Sequence, residues 1–333
     1  MKDLINSNQN LILEKSINEV LEDFLLFYNS IQTKKRYKIV LSEFLDFLKI
    51  KQLEDLNKYH ISDIYTSFEL YKDSKSKHDK DNHNKILNPS TLNNIAYIIR
   101  AFFKYLIDYY NYPKNPLSHY KPLKTKEHSI THSLDRSELL DIIRQSKKEY
   151  LDSLYKTKNI KKHLTKSRNF LIFALLSLSL RREEICNIKW DDLKEDKFLL
   201  IGQKWGTSKY IPIPSWLIDY FLKFKEEKFI NGYQSSYMFT AFLNWFWDNL
   251  NTPIYATYIM KITQKMCERL HINKKITPHS FRKTFIEIAL DKNENYNNIM
   301  NATGHKTTQM VRYYDYRDKV KNNAINSFED LFY

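Results

Sequence analysis

The chain has 333 residues, enough for two domains that each bury a core, and its 42% hydrophobic and 15% aromatic content excludes a disordered chain. Against 39 acidic residues stand 53 Lys and Arg, a formal charge of +14, which favours a polyanion such as nucleic acid as the partner. The longest nearly unbroken apolar run, Phe170 to Leu180, has 11 residues where a membrane-spanning helix needs roughly 20, and MKDLINSNQN lacks a signal peptide's apolar stretch, so no membrane partner and a cytoplasmic, nucleoid-associated location are expected.

Residues 14 to 110 carry helical spacing. Ile17, Val20, Leu21, Phe24, Leu25 and Tyr28 form one apolar stripe, and Tyr37, Val40, Leu41, Phe44, Leu45 and Leu48 the next. The polar stretch 73–85, DSKSKHDKDNHNK, reads as a loop, after which Pro89, Ser90 and Thr91 open the longest helix. Its apolar face is Leu92, Ile95, Ile99, Phe102, Phe103 and Leu106. This predicts a small four-helix domain over residues 1–112. Residues 113–133 hold three prolines and several lysines with little periodicity, and read as a linker.

A second domain, residues 134–316, opens with a capping box at Asp135 and Glu138. Its pattern is helical except at Lys197–Gly202 and Lys209–Pro214, where KFLLIG and KYIPIP read as two short strands joined by QKWGTS. Helical patterns resume after Pro214, through Asn244–Leu250, Tyr255–Leu270 and Pro278–Leu290. A tail, residues 317–333, places Val320, Ala324, Ile325, Phe328 and Leu331 at helical spacing. The fold class expected is mainly α with one small antiparallel sheet.

Glycine is scarce. Residues 1–201 contain none, so neither a GxGxxG turn nor a GxxxxGK[ST] phosphate cradle exists there, which removes dinucleotide enzymes and P-loop ATPases. Three of the four glycines, Gly202, Gly206 and Gly304, stand beside Lys204 and His305. Cys186 and Cys267 form no CxxC or Cys/His cluster, so two reduced, buried thiols are expected, with no disulfide framework, no metal and no cofactor.

Polar residues of one chemistry recur through the second domain. Arg181 ends the apolar segment FLIFALLSLSL and precedes REEICNIKWDDL; paired with Glu184 it also reads as an ordinary helix-end ion pair. Lys204 stands in the hairpin turn, where lysine is ordinarily solvated, and Lys209 in the next strand is an equally cationic competitor. In TPHSFRKTF, Thr277 and Pro278 open a helix that puts His279 and Arg282 on one face, where both can reach one phosphate. TGHKTTQMVRYYDY places Gly304 before His305 and Tyr314 nine residues after that histidine. A phosphodiester passing to a pentacoordinate state carries charge on its non-bridging oxygens, and fixed guanidinium and imidazole donors suit it. A tyrosine can attack and keep the phosphate.

Order, spacing and local sequence resemble the tyrosine recombinase family, the phage integrases and Xer-type enzymes. In that family a TGLR-x-x-E box, a GK hairpin, an H-x-x-R box, an LGH box and a tyrosine follow in this order. The chain offers SLSLRREEICNIKWDDL, LLIGQKWGTSKYIPIP, TPHSFRKTF and TGHKTTQMVRYY at matching separations. NPSTLNNIAYIIRAFFKYL and the NP of KNPL are similar to the family's core-binding domain, so the resemblance covers nearly the whole chain. Four departures are local: Ser179 replaces the usual glycine of the first box, Thr303 the leucine before Gly304, Lys283 the histidine after the second arginine, and Tyr316 a histidine that often follows the nucleophile. Tyr313, Tyr314 and Tyr316 crowd together, and the spacing from His305 picks Tyr314.

The resemblance implies a core-binding domain followed by a catalytic domain of the DNA breaking-rejoining fold. It implies attack by Tyr314 to give a 3′-phosphotyrosyl bond and a free 5′-hydroxyl, with Arg181 and Arg282 on the non-bridging oxygens and a hydrogen bond from His305. His279 would assist proton transfer, Lys204 would protonate the departing 5′-oxygen, and Glu184 would hold Arg181. The same resemblance implies a homotetramer on two DNA sites, with the tail docking on its own or a neighbouring subunit, accessory DNA-bending or partner recombinase proteins, and no need of metal or ATP. Lys34, Lys35, Arg36, Asn94, Arg100 and Lys209 are the DNA-contact candidates. The activity expected is integration or excision of a mobile element or resolution of DNA molecules. A type IB topoisomerase, or a DNA-binding architectural or regulatory protein without catalysis, are the alternatives.

Overall fold

The computed structural model describes residues 15–76, 87–125, 132–195, 198–202, 208–242 and 251–315. The chain divides into two compact units, Met1–Ser129 and Ile130–Tyr333.

The first unit begins at α1, Ile17–Leu26, whose start is fixed by a capping box: Ser16 Oγ accepts from Glu19 N at 3.2 Å and Glu19 Oε2 accepts from Ser16 N at 2.9 Å. There follow α2, Ile31–Phe47, the short α3, Leu53–Asn57, then α4, Ile61–Ser76, and α5, Pro89–Tyr110. The apolar stripes meet in one core, where Phe24 packs edge-on against Phe102 at 5.4 Å and Leu41, Phe68 and Phe103 are fully buried. Four of these five helices run to ten residues or more. The extra turn, α3, buries only Leu53 and Leu56, too short a stripe to show a helical period. Helix α4 extends into the expected loop as far as Ser76; residues 77–86 lie outside the described residues.

The stretch read as linker is in part core. Leu117 and Tyr120 are buried in the first unit, and Asn93 on α5 binds the chain beyond them: its Oδ1 accepts from Tyr120 Oη and Leu123 N, both at 2.8 Å, and its Nδ2 donates to Leu123 O at 2.9 Å. The prolines and lysines of this segment alternate with apolar residues that find a core, so it follows the first unit at least to Leu123.

In the second unit α6, Arg136–Lys156, starts at the expected box, Glu138 Oε2 accepting from Asp135 N at 2.7 Å. The central helix is α7, Ile160–Ser177, buried on every side from Phe170 to Leu176. Helix α8 spans Arg182–Asn187, and strands β1, Phe198–Gly202, and β2, Ser208–Pro212, pair antiparallel with Leu200 opposite Tyr210. Then come α9, Ser215–Ile230, α10, Ala256–Arg269, α11, Pro278–Asp291, α12, Tyr296–Thr303, and α13, Thr308–Arg312. Helices α6, α9 and α11 pack around α7. Thr284 ties α11 to the chain before α6, accepting from Leu134 N at 2.7 Å and donating to its carbonyl at 3.1 Å. Cys186 and Cys267 are free and buried, and burial pushes their thiols up to about 12 and about 11. The expected helix Asn244–Leu250, the hairpin tip with Lys204, Tyr316 and the tail 317–333 lie outside the described residues. Among the described residues no helix is long and apolar enough to cross a membrane.

Candidate active site

The end of α7 sets the first element of the site. The helix closes through Leu178, and Ser179 takes the left-handed conformation at φ 70°, with its N–H on Leu176 O at 3.0 Å. Glycine adopts this conformation without strain, which explains why the resembling first box usually has glycine here. Ser179 is fully buried, and the turn leaves its carbonyl pointing at the N-terminal part of α11.

Arg282 receives that carbonyl. Its Nη1 donates to Ser179 O at 3.0 Å and its Nη2 lies 3.2 Å from His305 Nε2, so one guanidinium joins the end of α7 to the loop after α12. Only 2% of Arg282 is exposed. Gly304, at φ 69°, caps α12 with its N–H on Met300 O and turns the chain so that His305 faces back toward α11. The next helix, α13, carries the chain to Tyr314, whose ring lies 6.2 Å from that of His305 and packs on the small cluster of Ile286, Ala289, Leu290, Ile299 and Val311. Tyr313 stands edge-on to Tyr314 and is 40% exposed.

On the other side, Arg181 is the N-cap of α8 and Glu184 folds back onto it. Glu184 Oε2 accepts from Arg181 N at 2.9 Å, and Oε1 accepts from Arg181 Nη1 at 2.7 Å. Lys209 reaches the same carboxylate from β2, its Nζ 2.9 Å from Oε2. Among the described residues the Lys209 ammonium has no hydrogen-bond partner beyond this ion pair with Glu184. Lys209, expected as a DNA contact and as a cationic competitor of Lys204, is thus 5% exposed and pairs with Glu184 inside the site.

The electrostatics follow from three cations set around one carboxylate. Burial pushes Arg282 down to about 10, the charge of Arg181 adds to the push, and Glu184 and the Tyr314 phenol oppose it. Burial, then the charges of Arg282, Arg181, His279 and Lys209, push His305 down to about 4. His279, exposed at the start of α11, is also lowered, by partial desolvation and then by Arg282, Arg181 and Lys283. Burial lowers Lys209, against the pull of Glu184. For Glu184 burial acts upward, yet Lys209 and the Arg181 hydrogen bonds hold it below the ordinary carboxylate range. Both histidines are neutral near pH 7, and the site keeps a net positive charge that suits one incoming anion. A cleft of about 650 Å³ lined by Trp190, Leu222, Phe229 and Tyr233 includes none of these side chains.

The sequence model of the phage integrase family matches residues 144–320, more than half of the chain and all of this constellation. The chain belongs to the phage integrase family. It is 24% identical over 329 residues to a probable integrase/recombinase of Acholeplasma phage L2, covering 96% of this chain and 98% of that protein. It is 27% identical over 153 residues to the tyrosine recombinase XerA of Thermococcus kodakarensis, a match covering 45% of this chain and 51%, about half, of that relative. Among solved structures it resembles the XerH site-specific recombinase bound to palindromic difH substrate, with TM-score 0.65 and 14% identity over 90% of this chain and 81% of the other. It also resembles a lambda integrase dimer bound to a core site, with TM-score 0.58 and 16% identity over 94% and 81% of the two chains. These likenesses show a tyrosine recombinase fold, mostly helical with one small antiparallel sheet.

In this phage integrase family member the structure brings together Arg181, Glu184, Arg282, His305 and Tyr314, with His279 at the rim; Lys204 lies outside the described residues. In the first unit, Lys35, Arg36, Asn94 and Arg100 are exposed and Lys34 is half-buried, on α2 and α5. Two contributors escaped the sequence reading. One is Lys209 as the inner partner of Glu184, although Lys209 and Ile211 share one face of β2 and both are buried, as is Ile213 just beyond the strand, an alternation already legible in KYIPI. The other is Thr303, whose hydroxyl touches His305.

Proposed function

We propose that this protein is a site-specific tyrosine recombinase that cuts and rejoins duplex DNA through a 3′-phosphotyrosyl intermediate. The observation that carries the reading is the bridge of Arg282 between Ser179 O and His305 Nε2, with the Tyr314 ring beside it. A buried guanidinium and an imidazole held edge to edge form a ready cradle for phosphate oxygens, and a phenol stands next to it.

Arg181 and Arg282 hold the non-bridging oxygens of the scissile phosphate, and His305 supplies a further hydrogen bond. Tyrosine, with an ordinary pKa of about 10, attacks only when its proton is removed or its phenolate is favoured. The surplus of cations favours the phenolate, and His279, neutral and exposed at the start of α11, relays the proton. Lys204 on the hairpin protonates the leaving 5′-oxygen. Glu184 fixes Arg181 through two hydrogen bonds and is itself held by Lys209. The phosphotyrosyl bond conserves the energy of the broken diester, so a 5′-hydroxyl of another strand reverses the attack with neither metal nor ATP.

The partners in this reading are a double-stranded recombination site, contacted by the exposed Lys35, Arg36, Asn94 and Arg100 together with Lys34, and three further copies of the chain in a tetramer on two sites. Accessory DNA-bending or partner recombinase proteins complete it, at the nucleoid. The biological outcome is integration or excision of a mobile element, or resolution of DNA molecules. The test is incubation with nicked duplexes taken from the sequences flanking the gene, in EDTA. Wild-type protein forms a denaturant-resistant protein-DNA adduct with a free 5′-hydroxyl, and Tyr314→Phe binds the same duplex without forming one. DNA binding without an adduct by wild type, on duplexes that the protein protects from nuclease, overturns the reading in favour of a binding protein.

A further inference from the structure

Two hydrogen bonds fix the protonation of His305 from opposite edges. Thr303, the last residue of α12, is fully buried, and its Oγ1 lies 2.6 Å from the Ile299 carbonyl and 2.9 Å from His305 Nδ1. A carbonyl only accepts, so the single hydroxyl proton of Thr303 goes to Ile299 and the hydroxyl oxygen accepts from Nδ1–H. At the other edge Arg282 Nη2 lies 3.2 Å from Nε2, and a guanidinium only donates. Nε2 therefore carries a lone pair. Both constraints give the same species, a neutral ring protonated at Nδ1.

We propose that Thr303 is a positioning residue that locks His305 as the Nδ1–H tautomer, and that an arriving phosphodiester converts His305 from the acceptor of Arg282 into a protonated donor to a phosphate oxygen. The second half rests on the reading of this site as a phosphate site. No covalent bond between heavy atoms changes. Nε2 takes one proton from a buffer acid in bulk solvent, which is left as its conjugate base, Nδ1–H stays on Thr303 Oγ1, and Arg282 Nη2 moves its hydrogen bond from Nε2 to the phosphate.

The neighbours of the ring make both states natural. Arg282 and His279 face it from α11, Arg181 from the cap of α8, Lys209 from β2, and the Tyr314 ring from beyond α13. With no anion present, burial and then these cations keep the ring uncharged, down to a pKa of about 4. A phosphate monoanion between Arg282 and Nε2 reverses the local field and favours the imidazolium. Thr303 serves both forms without moving, because Nδ1 donates in each. The leucine usual at this place has no oxygen to offer.

The test is nitrogen NMR of the full chain carrying isotope-labelled histidine and arginine, in which ring shifts separate the two neutral tautomers from the imidazolium. His305→Gln and Arg282→Lys assign the signals. At neutral pH the wild type shows His305 as Nδ1–H, Thr303→Ser retains it, and Thr303→Val, of similar volume without the oxygen, admits the Nε2–H form. Adding inorganic phosphate shifts the Arg282 signal and turns His305 into the imidazolium. A free ring already in the Nε2–H or charged form, or a Thr303→Val spectrum identical to wild type, overturns the lock. A shifted Arg282 with His305 still neutral overturns the proton switch and leaves the phosphate site standing. If phosphate moves neither signal, the switch and the functional reading beneath it fail together.

Discussion

Lys209 Nζ lies 2.9 Å from Glu184 Oε2, with the lysine side chain 4% and the glutamate side chain 9% exposed, while the other oxygen of that carboxylate holds Arg181 Nη1 at 2.7 Å. Glu184 thus stands between a buried ammonium and a guanidinium offered to solvent. Glu184→Gln strands the lysine charge in the interior, at a cost of about 3–5 kcal/mol. Combining it with Lys209→Met removes the stranded charge and recovers most of that loss. Urea denaturation of the two variants measures the difference, and equal stabilities would show that the pair does not matter.

Arg282→Lys keeps the charge and loses the bridge. A single ammonium cannot serve both the Ser179 carbonyl and the His305 edge in the planar geometry of the guanidinium. Adduct formation falls by at least roughly a hundred-fold, the scale for removing a fixed donor to a developing oxyanion. DNA binding in a gel-shift assay changes far less, because most of it comes from other phosphate contacts.

The second unit loses stability in mild acid. His305 titrates at about 4 in the folded chain against 6.5 for a free side chain, and His279 is lowered in the same direction. Between those values the unfolded chain binds more protons, so folding stability is fully present above about 6.5 and falls as pH drops toward 4. Melting temperature followed across this window in wild type shows the decline, and His305→Gln flattens part of it. An unchanged slope in the variant excludes His305 as the source.

Asn93→Ala tests what holds the chain after α5. The substitution leaves the Tyr120 hydroxyl and the Leu123 amide and carbonyl without their partner, at about 1–3 kcal/mol for each group that water does not reach. In the full chain, hydrogen exchange at the Leu123 amide accelerates while exchange within α7 stays as in wild type. Protection of Leu123 unchanged from wild type would count against this anchor.

Much of this architecture is legible in the amino acids because the signals are local. The Asp135/Glu138 box, the Pro89 start and the short apolar run of KFLLIG each specify their element within a few residues. The boxes around Arg181, Arg282 and His305 could likewise be ordered along the chain. Less visible are the contacts that join distant segments. Nothing near Ser179 announces that its carbonyl serves Arg282, and the lysines and prolines around Leu117 and Tyr120 hide the burial of those two side chains. Lys209 shows how a charge can mislead: its residue type suggested a DNA contact or a competitor of Lys204, whereas its place in the inward register of β2 decided its position.

The left-handed turn at Ser179 makes the main chain, not a side chain, the aiming device for the guanidinium 103 residues downstream. Drift at that position is therefore channelled by backbone tolerance: glycine, asparagine or serine can keep the carbonyl on target, and here the serine hydroxyl adds a tether to Ala302 O at 3.2 Å. A β-branched residue would swing the carbonyl aside and disarm the chemistry without touching one reactive group, a lesion that an inventory of catalytic side chains would record as harmless.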